Sequence, residues 1–202
     1  MKLIILGIQG SGKGTQGKLA AEKFNLNHLS TGDIIRQEIQ AATPLGLKFR
    51  QYAEQGLLVP DSMINEVIKA HLPKNHYLLD GYPRNIPQAE FLEKLTSPEK
   101  MIYLDLPEQE VIHRLSSRFQ CKSCSIDYGL NHMPKKQWFC DNCKKPLEKR
   151  KDDNEASIKT RIKAFNKETL PLLRFYNKKV LRINADQPVE AVAKDISSAL
   201  AN

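Results

Sequence analysis

After the apolar run Leu3–Leu6, the stretch GIQGSGK sets Gly7, Gly12 and Lys13 at the spacing G-x-x-x-x-G-K, just before a helical pattern. Glycines there let backbone N–H groups converge on phosphate oxygens, and the helix N-terminus adds a favourable dipole. Lys13 would reach the outer phosphates of a nucleotide. The hydroxyl that usually follows the lysine is displaced, because Gly14 intervenes and Thr15 carries it. A chance glycine-rich turn is the competing reading, but strand, loop and helix come in the order phosphate binding requires. A second constellation is Cys121, Cys124, Cys140 and Cys143, two C-x2-C pairs separated by fifteen residues. Four thiolates at that spacing make a closed, tetrahedral structural zinc site. Two disulfides and an iron site are the alternatives, and a reducing compartment with short paired spacings favours zinc. His132 lies between the pairs, but four cysteines already fill the shell. His28, His71, His76 and His113 show no ligand spacing.

Arginines form the third set. Arg84 follows the strand-like run ending in LLD, and Arg114 and Arg118, four apart, project from one helix face. Forked guanidinium groups grip phosphate in a way lysine cannot reproduce. Asp80 closes that strand-like run, where a carboxylate can orient the waters of a nucleotide's metal ion; a plain turn residue is the alternative.

The elements that must hold these groups alternate. Strand-like runs fall at Leu3–Leu6, Tyr77–Leu79, Met101–Leu106 and Val180–Ile183, with a shorter one at His28–Leu29. Helical patterns fall at Gly14–Lys23, Ile34–Ala42, Ser62–Ala70, Pro87–Leu95, Glu108–Arg118 and from about Glu155 to Lys178. Buried strands alternating with helices predict an α/β fold with a parallel sheet covered on both faces. In the last helix Ile158, Ile162, Phe165, Leu172, Leu173 and Tyr176 share a core-facing side, and Pro171 should bend or divide it. Residues 119–149 break the rhythm, hold all four cysteines and the only tryptophan, and read as an inserted subdomain.

The sequence GIQGSGKGTQ resembles the phosphate loop of adenylate kinases and related nucleoside-monophosphate kinases. The resemblance recurs, in the family's order, at LSTGDIIR (Leu29–Arg36), GLLVPD (Gly56–Asp61), LLDGYPRNIPQA (Leu78–Ala89), DLPEQEVIHRLSSR (Asp105–Arg118) and RKDDNEASIKTR (Arg150–Arg161). It implies a five-stranded parallel sheet of the phosphate-loop nucleotide-hydrolase type with helices on both faces. Residues 1–29, 61–118 and 150–202 would form the core, 30–60 a helical acceptor-binding segment, and 119–149 a zinc-bearing lid. The implied activity is reversible, Mg²⁺-dependent transfer of a phosphoryl group from ATP to AMP, giving two ADP.

Carried over residue by residue, the resemblance places Gly10, Ser11, Gly12, Lys13, Gly14 and Thr15 around the donor phosphates. Arg114 and Gln187 would lie by the donor base and Arg118 at the donor phosphates. The acceptor pocket would comprise Thr31, Gly32, Arg36, Leu57, Leu58, Val59, Gly81, Arg84 and Gln88, together with Arg150 and Arg161. Lys13, Arg84, Arg118, Arg150 and Arg161 would share the charge on the moving phosphoryl group. Asp80 would hold Mg²⁺ through water, and Asp152 and Asp153 would tie the insert's arginines to the core when it closes, or cap the following helix. Three residues depart from the common family pattern. Gln9 stands for proline and should loosen the loop, Tyr82 stands for phenylalanine, and Gln187 stands where a lysine often approaches the donor adenine.

Rival readings remain. UMP and CMP kinases share the mechanism, but Thr31 and Gln88 together favour AMP. A net charge of +8 and a zinc ribbon would also suit a nucleic-acid-binding ATPase; Trp138 and Phe139 beside Lys135 and Lys136 give only a faint version of the basic, aromatic groove it needs. No apolar run reaches a membrane span, and MKLIILGIQG reads as a strand and turn rather than a signal peptide. The expectation is a cytoplasmic, monomeric enzyme acting on ATP, AMP and ADP, without nucleic-acid or membrane partners.

Overall fold

The computed structural model describes residues 1–201 apart from 54, 56, 58, 125, 131, 151 and 152. In chain order the elements begin β1 (Lys2–Gly7), α1 (Lys13–Lys23), β2 (Asn27–Ser30), α2 (Thr31–Gln40), α3 (Pro44–Ala53), α4 (Asp61–His71), β3 (Tyr77–Asp80) and α5 (Ile86–Leu95). They continue with β4 (Lys100–Asp105), α6 (Glu108–Ser116), β5 (Phe119–Cys121), β6 (Ile126–Tyr128), α7 (Glu155–Ala164), α8 (Leu172–Phe175), β7 (Val180–Asn184) and α9 (Val189–Ala201). Five strands form one parallel sheet in the order β2-β3-β1-β4-β7. Successive side chains of a strand point to opposite faces. Consecutive Leu3, Ile4 and Ile5 are all fully buried, as are Tyr77, Leu78 and Leu79, so both faces are covered. The expected α/β fold is the observed one.

Registry brings the site together. Ile5 of β1 and Ser30 of β2 both pair with Asp80 of β3, and Gly7 pairs with Leu104 of β4, so the carboxyl ends of four strands lie side by side. In open parallel sheets that edge is where ligands bind. Local caps fix the helices that leave it. The Ser30 hydroxyl accepts from the Asp33 amide, Asn85 Oδ1 from the Gln88 amide, and Asn154 Oδ1 from the Ser157 amide.

The expected long helix is divided, as Pro171 implied. α7 passes at Phe165–Thr169 into a π-helical turn, in which the Leu170 amide donates to the Phe165 carbonyl (2.8 Å), before the short α8 and a 3-10 turn at Asn177–Lys179. Its apolar residues face the core: Ile158, Ile162, Phe165, Leu172 and Tyr176 are buried and Leu173 packs against them. The wide turn delivers Thr169 to the site, where its hydroxyl donates to the Arg84 carbonyl (2.7 Å).

Two helices escaped the sequence reading. α9 carries Val192 and Ile196 inward, a short periodic run close to the end of the chain. α3 begins at Pro44, after a Thr43 hydroxyl that accepts from the Gly46 amide, a helix-start signal, but Gly46 in its first turn weakens the local helical preference. Packing is the reason for the glycine. A Cβ at Gly46 would stand 2.0 Å from the Glu38 carbonyl oxygen, so α3 crosses α2 in backbone contact, with Phe49 buried beneath. Residues 119–149 contain the two-stranded antiparallel sheet β5-β6 and a small cluster of their own, Cys121, Tyr128, Cys140 and Leu147, apart from the main core.

The α2–α3 contact yields a clear expectation. Gly46→Ala should cost about 1–3 kcal/mol, the usual range for overpacking, and chemical denaturation would read this as a lower midpoint with an unchanged slope. Unaltered stability would mean that α3 can move off α2 at no cost.

Candidate active site

The loop after β1 is built by backbone geometry. Gly10 and Gly12 hold φ of +81° and +88°, the left-handed region open to glycine, and Gly12 caps α1 directly. The Lys13 ammonium folds back over the loop and donates to the carbonyls of Gly7 (2.7 Å) and Ile8 (3.0 Å). Ser11, Gly14 and Thr15 surround this turn and the first turn of α1. Gln9, expected to loosen the loop, donates from Nε2 to the Ile158 carbonyl at 3.4 Å, a long bond that links the loop to α7.

At the end of β3 the buried Asp80 carboxylate comes within 3.9 Å of where a Gly14 Cβ would stand. His28 Nε2 lies 3.5 Å from Asp80 Oδ2 and, buried, has no hydrogen-bond partner among the described residues. Nothing in the sequence marks His28, because one position on a short edge strand carries no ligand spacing. Beside Asp80, the buried Thr31 hydroxyl lies 3.0 Å from the Gly81 carbonyl and 3.2 Å from that of Asp80. Gly81 O also accepts from Arg84 Nε (2.8 Å). Arg36 is ion-paired to Asp33 and its guanidinium packs over Gly32. Gln88 is buried, its Oε1 accepting from the Arg84 amide (2.8 Å). Val59 packs on the core, Leu57 is exposed, and Leu58 lies outside the described residues.

Positive charge dominates. Burial pushes the Lys13 ammonium down to about 8; Asp80 opposes this, while Arg84, Arg118 and Arg150 push further down. Arg84 is lowered to about 10, chiefly by burial and then by Arg161, with Arg36 and Arg150 adding and Asp80 opposing. Six cations thus feel one another, and each of the most central two feels Asp80 as its counter-charge. Arg118 makes a two-pronged pair with the buried Asp153 (2.6 and 2.8 Å), and Arg161 approaches the same carboxylate at 3.8 Å. Arg150 reaches Asp127 at 4.0 Å. Asp152 lies outside the described residues. Arg114 and Gln187 are each held at the segment after β7: Arg114 donates to the Ala185 carbonyl (3.0 Å) and Asp186 (3.1 Å), while Gln187 Nε2 donates to the Asn184 carbonyl and Asp195.

A family model described as adenylate kinase matches residues 5–181. The chain belongs to the adenylate kinase family. Among its relatives, the adenylate kinase of Caldicellulosiruptor saccharolyticus is 38% identical over 99% of both chains. That of Methanothrix thermoacetophila is 40% identical over 99% of this chain and 98% of its own. That of Hydrogenobaculum sp. is also 40% identical, over 99% and 100%. As a member of the adenylate kinase family, the chain is a nucleoside-monophosphate kinase, a transferase.

This adenylate kinase family member also carries the cysteine cluster the spacing predicted. The four Sγ atoms lie within 4.8 Å of one another and none forms a disulfide. Zn–S bonds of about 2.3 Å in a tetrahedron would put sulfurs about 3.8 Å apart, so the set is compatible with zinc. Burial opposes ionisation of Cys140, but amides of Cys143 and Asn142 and the Tyr128 hydroxyl bring it down to about 6. Cys143 is lowered too, first by the Lys145 amide. Cys124 is pushed up to about 11, foremost by its hydrogen bond with Cys143.

The lowered Lys13 predicts a proton linkage. Above pH 8 the free protein has largely neutral Lys13. Phosphate oxygens favour the charged form, so nucleotide binding there must raise this pKa and take up a proton. Triphosphate affinity should therefore fall as pH rises from 8 towards 10, and calorimetry in buffers of different ionisation enthalpy should read proton uptake near pH 8.5. Lys13→Met should abolish the uptake; its persistence would assign the proton elsewhere.

Proposed function

We propose that this protein catalyses the reversible conversion of ATP and AMP into two ADP. The convergence of Lys13 with Arg36, Arg84, Arg118, Arg150 and Arg161 around Asp80 carries the reading. Phosphoryl transfer asks little covalent chemistry of a protein; alignment, spread positive charge and exclusion of water suffice. On this reading residues 10–15 cradle the donor phosphates, and Arg114 and Gln187 flank the donor base. Thr31, Gly32, Arg36, Leu57, Leu58, Val59, Gly81 and Gln88 enclose the monophosphate. Arg84 fixes its phosphate through a guanidinium already held by the Gly81 carbonyl, so little reorganisation remains when charge develops. Lys13 and Arg118 follow the moving group from the donor side, Arg150 and Arg161 from the acceptor side.

Asp80 fits a role with Mg²⁺: among the described residues its buried carboxylate accepts no hydrogen bond, which leaves it open to the ion's waters. The ion, when bound, neutralises and orients the donor phosphates. Zinc on Cys121, Cys124, Cys140 and Cys143 would staple a flap whose own cluster is too small to hold it. Residues 119–149 then act as a stiff lid over the donor, and 30–60 as the acceptor-binding segment. Among the described residues no helix is long and apolar enough to cross a membrane. A cytoplasmic monomer without nucleic-acid partners completes the proposal.

The test is nucleotide exchange: protein, Mg²⁺ and ATP offered AMP, CMP, UMP or GMP, with ADP followed by chromatography. Transfer to AMP alone is expected. Transfer chiefly to CMP or UMP would keep the mechanism and overturn the acceptor, and nucleic-acid-stimulated hydrolysis without transfer would overturn both. Arg84→Ala should lower turnover at least a hundredfold with the fold intact; unchanged activity would remove it from the site. Serine at both Cys121 and Cys124 should lower thermal stability far more than the rate at room temperature. Complete loss of rate in a folded protein would instead give the metal a chemical role.

A further inference from the structure

Gln88 is held from both ends of its amide. Its Nε2 donates to Asp61 Oδ1 (2.7 Å) at the start of α4, while its Oε1 accepts from the Arg84 amide (2.8 Å). A carboxylate can only accept and a backbone N–H can only donate, so chemistry alone dictates which end is nitrogen and which oxygen. Asp61 is itself fixed by Asn85 Nδ2 (2.9 and 3.2 Å), and Asn85 Oδ1 returns to the Gln88 amide (2.9 Å). Below, the Tyr82 hydroxyl is shared between Asn65 Oδ1 (2.6 Å) and the Gln88 carbonyl (3.1 Å). The side chain is 2% exposed, so water does not compete for these partners.

We propose that Asp61 is a positioning residue for base selection, setting the orientation of the Gln88 amide so that it accepts 6-amino purine monophosphates and rejects 6-oxo ones. The inference rests on Gln88 meeting the acceptor base. With one hydrogen and one lone pair spent, the amide keeps one of each. An adenine edge offers the 6-amino hydrogen and the N1 lone pair, which match them. A 6-oxo purine offers the reverse, oxygen and N1–H, and would set acceptor against acceptor and donor against donor. If the amide could turn over, it would accept either edge. Asp61 and the Arg84 amide remove that freedom, and a hydrogen bond to an ionised acceptor is the stronger kind.

The experiment compares wild type, Asp61→Ala and Asp61→Asn with AMP and IMP as acceptors, measuring kcat, KM and melting temperature. Asn keeps an oxygen where Oδ1 now accepts, whereas Ala keeps none. Asp61→Ala should lose about tenfold in the AMP-over-IMP ratio of kcat/KM, through a higher KM for AMP, with kcat within about twofold. Asp61→Asn should keep the ratio within about twofold. An unchanged ratio in Asp61→Ala, or an equal fall in kcat for both acceptors with a lower melting temperature, would overturn the assignment and leave Asp61 a helix-start residue. A wild type that transfers nothing to AMP would instead defeat the function itself. Should Asp61→Ala not fold, NMR of the wild type decides. The Gln88 side-chain amide protons should exchange with solvent at least tenfold more slowly than those of exposed glutamines, and exchange at the exposed rate would overturn the proposal.

Discussion

Removal of cationic groups from water is the constraint on which the site depends. Lys13 and Arg84 both lie in a poorly solvated site, and both are driven towards deprotonation first by that burial and then by neighbouring arginines. Such an arrangement costs folding free energy unless counter-charge is near. Asp80 supplies part of it at the centre, Asp153 takes Arg118 and Arg161, Asp33 takes Arg36, and Asp127 lies towards Arg150. The remaining excess is positive and points at the loop that follows β1. On the proposed function, the phosphates of the nucleotides bring the negative charge that balances this excess.

The sheet exists in this form because those charges must be fixed. Fully buried strands leave no freedom of register, since a one-residue slip would reverse every side chain. Asp80 thereby falls opposite both Ile5 and Ser30, and the turns after β1, β2 and β3 share one edge. Arg84 gains a second support from a distant part of the chain, because the π-turn before Pro171 carries Thr169 to its carbonyl. A regular helix would have placed that hydroxyl on another side. The proline reads in sequence as a breaker; in the structure it marks the point where helix geometry yields to the needs of an arginine.

What the sequence made legible follows from how local each signal is. Four of the five sheet strands were readable as short, largely apolar runs, whereas β2, with Leu29 its one apolar residue, left only a shorter trace. The phosphate loop and the cysteine pairs were readable because their chemistry depends on fixed spacing. α3 was not, since Gly46 is dictated by the approach of α2, a tertiary fact without local trace. The His28–Asp80 approach and the Asp61–Gln88 bond join residues 52 and 27 positions apart. Nothing in either neighbourhood announces the partner. Arg118 and Arg161 could be named in advance, and Asp153 as a carboxylate that ties arginines, yet that these two share it is a matter of the fold alone.

At the departures from the family pattern, the structure adds partners that a local reading does not contain. Gln9 replaces a residue that would stiffen the loop from within. The Gln9 amide instead reaches the Ile158 carbonyl at 3.4 Å, a contact 149 residues away on the helix that carries Arg161. Tyr82 replaces a phenylalanine, but its hydroxyl is not surplus. Burial raises its pKa well above the ordinary phenol value, as expected for a neutral donor enclosed with Asn65 and the Gln88 carbonyl. A buried hydroxyl without partners would cost about 1–3 kcal/mol; here it braces the strand-to-helix turn from which Arg84 and Gln88 both arise. Gln9 and Tyr82 thus each bond a partner outside their own turn, Ile158 on α7 and Asn65 on α4, and join both turns to helices packed on the sheet.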